Sequence, residues 1–156
     1  MDSKKVLADF QFVRNRVSNF SIETKSLGSK NSAVDVNYDI DYNILEMTEE
    51  EDKYVGLLEL IIIIKAKMKN SVLFKVHLTM EGFFVGNPKK LSLEHFGEML
   101  ELNGIATLSH LSRAYILSVS SLSGLQPPVQ LPMINVHKLR EMKEKKKQTK
   151  ESQEMN

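Results

Sequence analysis

Cysteine and tryptophan are absent from the 156-residue chain, proline occurs four times, and the formal net charge is only +1. Without a thiol there is no disulfide, no thiolate zinc site and no cysteine nucleophile. A near-neutral balance gives no overall pull toward nucleic acid or an anionic membrane, so neither is an expected partner. The patterns GxxxxGKS/T, GxGxxG and GxSxG are all missing, which removes the phosphate cradle and the nucleophile elbow. The four histidines, His77, His95, His110 and His137, show neither HxH nor HExxH spacing, so no metal pair is indicated. The carboxylates are spread along one strand face and do not converge on a cleft, so no enzyme, metal or cofactor is expected. The opening stretch, MDSKKVLADFQFVRNRVSNF, alternates polar and apolar residues in place of the apolar block of a secretory signal, which points to the cytoplasm.

What the chain has in excess is aliphatic surface. Leu57 to Ile64, written LLELIIII, is its most apolar run. Eight extended residues span roughly 26 Å and eight helical ones about 12 Å, whereas a membrane helix needs about 20 apolar residues. The run is therefore a strand and not a membrane span. Charge is segregated around it: eight carboxylates and no Lys or Arg lie between Asp35 and Asp52, while Lys138 to Asn156 holds seven Lys or Arg against four Glu. Such a composition buries too little apolar surface to order itself. Residues 141–156 are thus expected as a basic, solvated or frayed tail behind one domain over 1–140, with partner docking through the tail as the other reading.

Periodicity gives four strands and then helices. Val34, Val36, Tyr38, Ile40, Tyr42 and Ile44 alternate with Asp35, Asn37, Asp39, Asp41 and Asn43, a half-buried strand with an acidic outer surface. Val72, Phe74, Val76, Leu78 and Met80 repeat the pattern. The segment from Phe10 to Glu23 alternates less cleanly, with Phe10, Phe12, Phe20 and Ile22 on one side and Val13 and Val17 on the other. Asn70-Ser71 is short enough for a hairpin between the third and fourth strands. After Gly86-Asn87-Pro88, Ser92 is placed to cap a short helix carrying Leu93, Phe96 and Leu100, which Asn103-Gly104 ends. A longer helix follows, with Ile105, Leu108, Leu111, Tyr115, Val119 and Leu122 in its apolar stripe and a stop at Gly124. Ser109, Ser112, Ser118, Ser120 and Ser121 occupy its other face, for solvent or for close approach of another helix. Three prolines make GLQPPVQLPMINV an irregular connector, and Asn135 is placed to cap a last helix near Val136. The expected fold is α+β: a four-stranded antiparallel sheet followed by a long helix and a C-terminal helix packed on one face. One face of LLELIIII meets those helices; the second is apolar too and needs other cover, from sheet packing within the monomer, a second subunit or a bound polypeptide.

On these residues the chain resembles the SecB family of protein-export chaperones. Phe10, Gln11, Arg14, Ser21 and Glu23 match the family's opening strand, and Gly82 and Phe84 its exit from the fourth strand. Leu108, Arg113, Ile116 and Ser118 match its long helix, and Gly124, Pro127, Leu131, Pro132, Ile134 and Asn135 its connector, so that the likeness runs over about residues 10–140. The resemblance implies a homotetramer, a dimer of dimers with paired sheets enclosing the helices. It also implies an ATP-independent holdase that keeps unfolded preproteins in apolar grooves and passes them to the SecA motor. Solitary SecB-like proteins also hold antitoxins in toxin–antitoxin systems, so either client class fits. Candidate client contacts are Leu125, Val129, Leu131, Met133, Ile134, Val136, Leu139 and Met142; methionine suits such a surface because its thioether repacks against unlike partners. Motor or partner contact is assigned by the resemblance to Glu23, Asn19 and His77. Asn19 stands where an acidic residue is usual and His77 where a glutamate is common, which weakens the case for SecA. Other readings are an oligomeric assembly module without client binding, and a small-ligand binder with an enclosed pocket.

Overall fold

The computed structural model of the chain describes residues 7–25 and 33–154. Strands β1 (Phe10–Thr24), β2 (Asp35–Glu50), β3 (Lys53–Met68) and β4 (Ser71–Gly86) form an antiparallel sheet in the order β1-β4-β3-β2. The apolar run of β3 is thereby central, flanked by β4 and β2. Strict alternation explains which face is buried. Leu58, Leu60, Ile62 and Ile64 of β3 and Val76, Leu78, Met80 and Phe84 of β4 are fully covered, and they share the face that the helices occupy. The β3–β4 turn falls at Lys69-Asn70, one residue earlier than the sequence suggested, with Lys69 at a positive φ.

β1 departs from simple alternation for a local reason. Its register against β4 shifts between Phe12 and Arg14 and again between Val17 and Asn19, so Val13 and Ser18 are extra residues in the strand. Each bulge reverses the side-chain parity. Val17 consequently pairs with Met80 and joins Phe10, Phe20 and Ile22 against the core, not the opposite side expected from counting by twos. β2 is covered only where its neighbours reach it: Tyr42 is buried, while Val36 and Tyr38 on the same face stay exposed.

The helical layer consists of α1 (Leu93–Met99), a π turn (Leu100–Gly104) and α2 (Ile105–Leu122) in one continuous run. Ser92 Oγ accepts from the His95 N–H at 3.1 Å, the N-cap read from the sequence. Asn103-Gly104, read as a stop, does not end the helix. A wider turn carries the chain through, and glycine is required there because a Cβ on Gly104 would stand 2.9 Å from Leu58 Cδ2. Ser109, Ser112 and Ser120 are buried rather than turned to solvent: Ser112 Oγ donates to Met80 Sδ at 3.7 Å, and Ser120 Oγ accepts from the Val129 N–H at 2.8 Å. Gly124, at φ 83, ends α2 as expected. α3 (Val136–Glu154), with the Asn135 side chain accepting from the Lys138 N–H at 3.0 Å, extends through residues whose composition reads as a tail from 141 onward.

Candidate functional site

The connector between α2 and α3, residues 123–135, splits the predicted client patch in two. Val129 and Leu131 are core residues, 6% and 2% exposed, and a client cannot reach them while the connector is in place. The cause lies on α2. Arg113 donates from Nε to the Leu131 carbonyl at 2.7 Å and from Nη2 to the Pro132 carbonyl at 2.9 Å, strapping the connector down, while Ser120 holds the Val129 amide. Leu125, Ile134, Val136 and Leu139 are half-buried against the same core. Met133 and Met142 project outward, 76% and 51% exposed.

Two residues outside the predicted set belong to the exposed group. Leu122, read as the last member of the buried stripe, is 89% exposed because it comes at the very end of α2, and Leu117 stands clear one turn and a little earlier. Leu117, Leu122, Met133 and Met142 are thus the exposed aliphatic side chains of α2, the connector and α3, and half-buried aliphatics of the same elements pack on the core.

α3 is held to the sheet at its basic first half. Arg140 Nε donates to Glu101 at 2.8 Å, and the Tyr42 hydroxyl donates to the other oxygen of that carboxylate at 3.2 Å. Lys143 Nζ donates to Asp41 at 2.7 Å and to Asn43 at 3.1 Å, and stands 5.5 Å from the Tyr42 ring centroid. Burial pulls the Asp41 pKa upward, but the Lys143 bond, the Tyr42 amide and the Lys143 and Lys146 charges outweigh it and hold the carboxyl below its usual range. Burial, reinforced by the Glu101 charge and hydrogen bond, raises the Tyr42 phenol well above its ordinary value.

The opposite face of the sheet carries no described helix. Leu57, Ile61 and Ile63 of β3 stand there beside Phe83 and Val85 of β4, all only partly covered. Arg14 lies 5.7 Å over the Phe83 ring and Arg16 pairs with Glu81 at 2.7 Å, so cations from β1 lean over the stripe. Asn19, His77 and Glu23 share this face: Asn19 pairs with Thr79, Ser21 with His77 and Glu23 with Lys75. Among the described residues no group of three His, Asp or Glu side chains is placed to hold a metal ion, and no helix is long and apolar enough to cross a membrane.

No family model matches the chain, and no curated protein matches it in sequence. Among solved structures it is similar to a SecB-like chaperone of Mycobacterium tuberculosis in complex with a ChAD peptide from the HigA1 antitoxin. The TM-score is 0.58 at 12% sequence identity, over 81% of this chain and 91% of that one. It is also matched by a protein of unknown function from Streptococcus agalactiae, with a TM-score of 0.47 at 11% identity, over 80% of this chain and 97% of that one. The first likeness shows the fold: this chain has the SecB-like α+β architecture, a four-stranded antiparallel sheet with a long helix and a C-terminal helix.

Proposed function

We propose that the chain is an ATP-independent holdase that binds unfolded or extended polypeptide along the apolar surface of α2, the connector and α3. The observation that carries the reading is the exposed set Leu117, Leu122, Met133 and Met142 on the same elements as half-buried Leu125, Ile134, Val136 and Leu139. Each apolar contact with a client is worth about 25 cal/mol per Å² removed from water before ordering costs, so affinity accumulates from several weak points and not from one shaped pocket. Val129 and Leu131 support this surface from beneath and drop out of the contact set. Self-association into a dimer of dimers in the cytoplasm belongs to the same reading. Of the client classes, an antitoxin is favoured over a general preprotein, because the similar chaperone fold was solved holding an antitoxin peptide. Hand-over to SecA is left aside: Asn19 and His77 bring no carboxylate to the outer sheet face, and Glu23 stands opposite a lysine there.

The test is suppression of aggregation of a chemically unfolded protein, followed by light scattering. The wild-type chain is expected to suppress it, and the Met133→Asp/Met142→Asp variant to lose most of that effect with its fold intact. No suppression by the wild type at stoichiometric amounts contradicts the proposal. An assembly module without client binding is the second reading, favoured by the uncovered stripe of Leu57, Ile61, Ile63 and Phe83; it predicts self-association without suppression.

A further inference from the structure

The uncovered sheet face changes chemistry toward one end. Beyond Ile63, β3 continues outward with Lys65 and Lys67, and the register sets Lys65 directly opposite Lys75 of β4. Like charges facing each other across an antiparallel pair are destabilising. With Lys25, just past β1, these lysines line a concavity of about 510 Å³ whose remaining wall is Glu23, Thr24, Val72, Leu73 and Phe74.

Two carboxylates face the cluster: Glu23 opposite Lys75, and Asp35 opposite Lys67, with the latter already accepting from the Asn37 side chain at 3.2 Å. Neither is within ion-pair distance of a lysine, and among the described residues none of the four ammonium groups has an ion pair. On the same sheet face, by contrast, Arg16 is matched to Glu81.

From this juxtaposition we propose that the concavity lined by Lys25, Lys65, Lys67 and Lys75 binds an extended acidic polypeptide segment, on the face opposite the holdase surface. Three features select that ligand. Lys65 and Lys67 are two apart on one strand, roughly 6.6 Å, which is also the spacing of alternate carboxylates in an extended chain. Each ammonium is a point charge, free to meet one carboxylate each without the fixed fork that an arginine cluster presents to phosphate. Val72, which pairs with Lys67 across the strands, offers apolar cover to a side chain between the carboxylates. The site is separate from the client surface, so its failure leaves the holdase reading standing.

The experiment is fluorescence anisotropy with a labelled peptide alternating Asp and Val, against the full chain. The alternating peptide is expected to bind, to weaken as salt screens the charges, and to lose at least about tenfold in affinity in the Lys65→Glu/Lys75→Glu variant. The milder Lys25→Ala/Lys67→Ala variant, which changes only exposed side chains, is expected to weaken binding by several-fold and guards against misfolding of the first. The Met133→Asp/Met142→Asp variant is expected to bind the peptide as the wild type does. Equal binding of an Asn/Val peptide, no effect of either lysine variant, or tighter binding of a single-stranded oligonucleotide than of the acidic peptide would each overturn the proposal.

Discussion

Arg113 sets which part of the connector is surface. Its two bonds to the Leu131 and Pro132 carbonyls hold an otherwise irregular, proline-rich segment against α2, and Val129 and Leu131 are buried as a consequence. Hydrogen bonds from a charged donor contribute about 1.5–3 kcal/mol, so Arg113→Ala is expected to lower unfolding stability by roughly 2 kcal/mol in urea titration, with Arg113→Lys recovering part. Glycines supply a paired expectation. A Cβ on Gly86 would stand 2.5 Å from the buried Phe96 ring, and Gly86→Ala should cost about 1–3 kcal/mol by overpacking. Gly97 lies in α1 facing the flexible end of Met47 at 3.1 Å, where the thioether yields; Gly97→Ala should raise unfolding stability by up to about 1 kcal/mol of helix propensity, read in urea titration. At this scale the sequence told apolar from polar but not inside from outside. Leu131 and Met133 look equivalent in the string PVQLPMI, and only the reach of Arg113 from eighteen residues upstream separates them.

At the level of elements, periodicity was legible and its interruptions were not. The alternation of Val34 to Ile44 and the spacing of Ile105 to Leu122 each correspond to an observed strand and helix, because a period of two or of 3.6 is what a half-buried element requires. The bulges at Val13 and Ser18 and the π turn before Ile105 add residues without a sequence mark, since they answer to partners in other elements: β4 for the bulges, Leu58 for Gly104. The start of α3 at Val136 was legible, but its continuation beyond residue 141 was hidden for a related reason. Its composition is that of a solvated segment, and its charged contacts are ion pairs to Glu101 of the π turn and Asp41 of β2, which periodicity does not reveal. Those contacts make its docking sensitive to acid. The Asp41 carboxyl titrates below its usual range in the folded chain, so the stabilisation from its ionised form is complete above the unfolded value near pH 4 and is lost as pH falls through the lower folded value. Amide exchange in α3 is therefore expected to quicken in that acidic window before the central strands respond. Asp41→Asn should show the faster exchange at neutral pH and remove the acid step, and an unchanged pH profile in that variant would contradict the assignment.

For the whole molecule, the governing fact is an aliphatic surplus. Over Leu57–Ile64 β3 is apolar on both faces but for Glu59, the helices cover one, and Leu57, Ile61, Ile63, Phe83 and Val85 are left partly open while Leu122, Met133 and Met142 are exposed on the helical layer. Exposed apolar surface, where it gathers into patches, marks association sites in water. Both the holdase reading and self-association rest on it, and they divide it between clients and sister chains. Ile61→Lys, placed in the middle of the stripe, is expected to leave the secondary structure unchanged in circular dichroism and to shift any concentration-dependent mass downward if sister chains cover the sheet face. The most direct measurement is the solution mass by multi-angle light scattering over a range of concentrations. The account predicts a particle of four chains that persists on dilution; a single chain at every concentration would contradict it, because the exposed aliphatic surface would then have no need of cover.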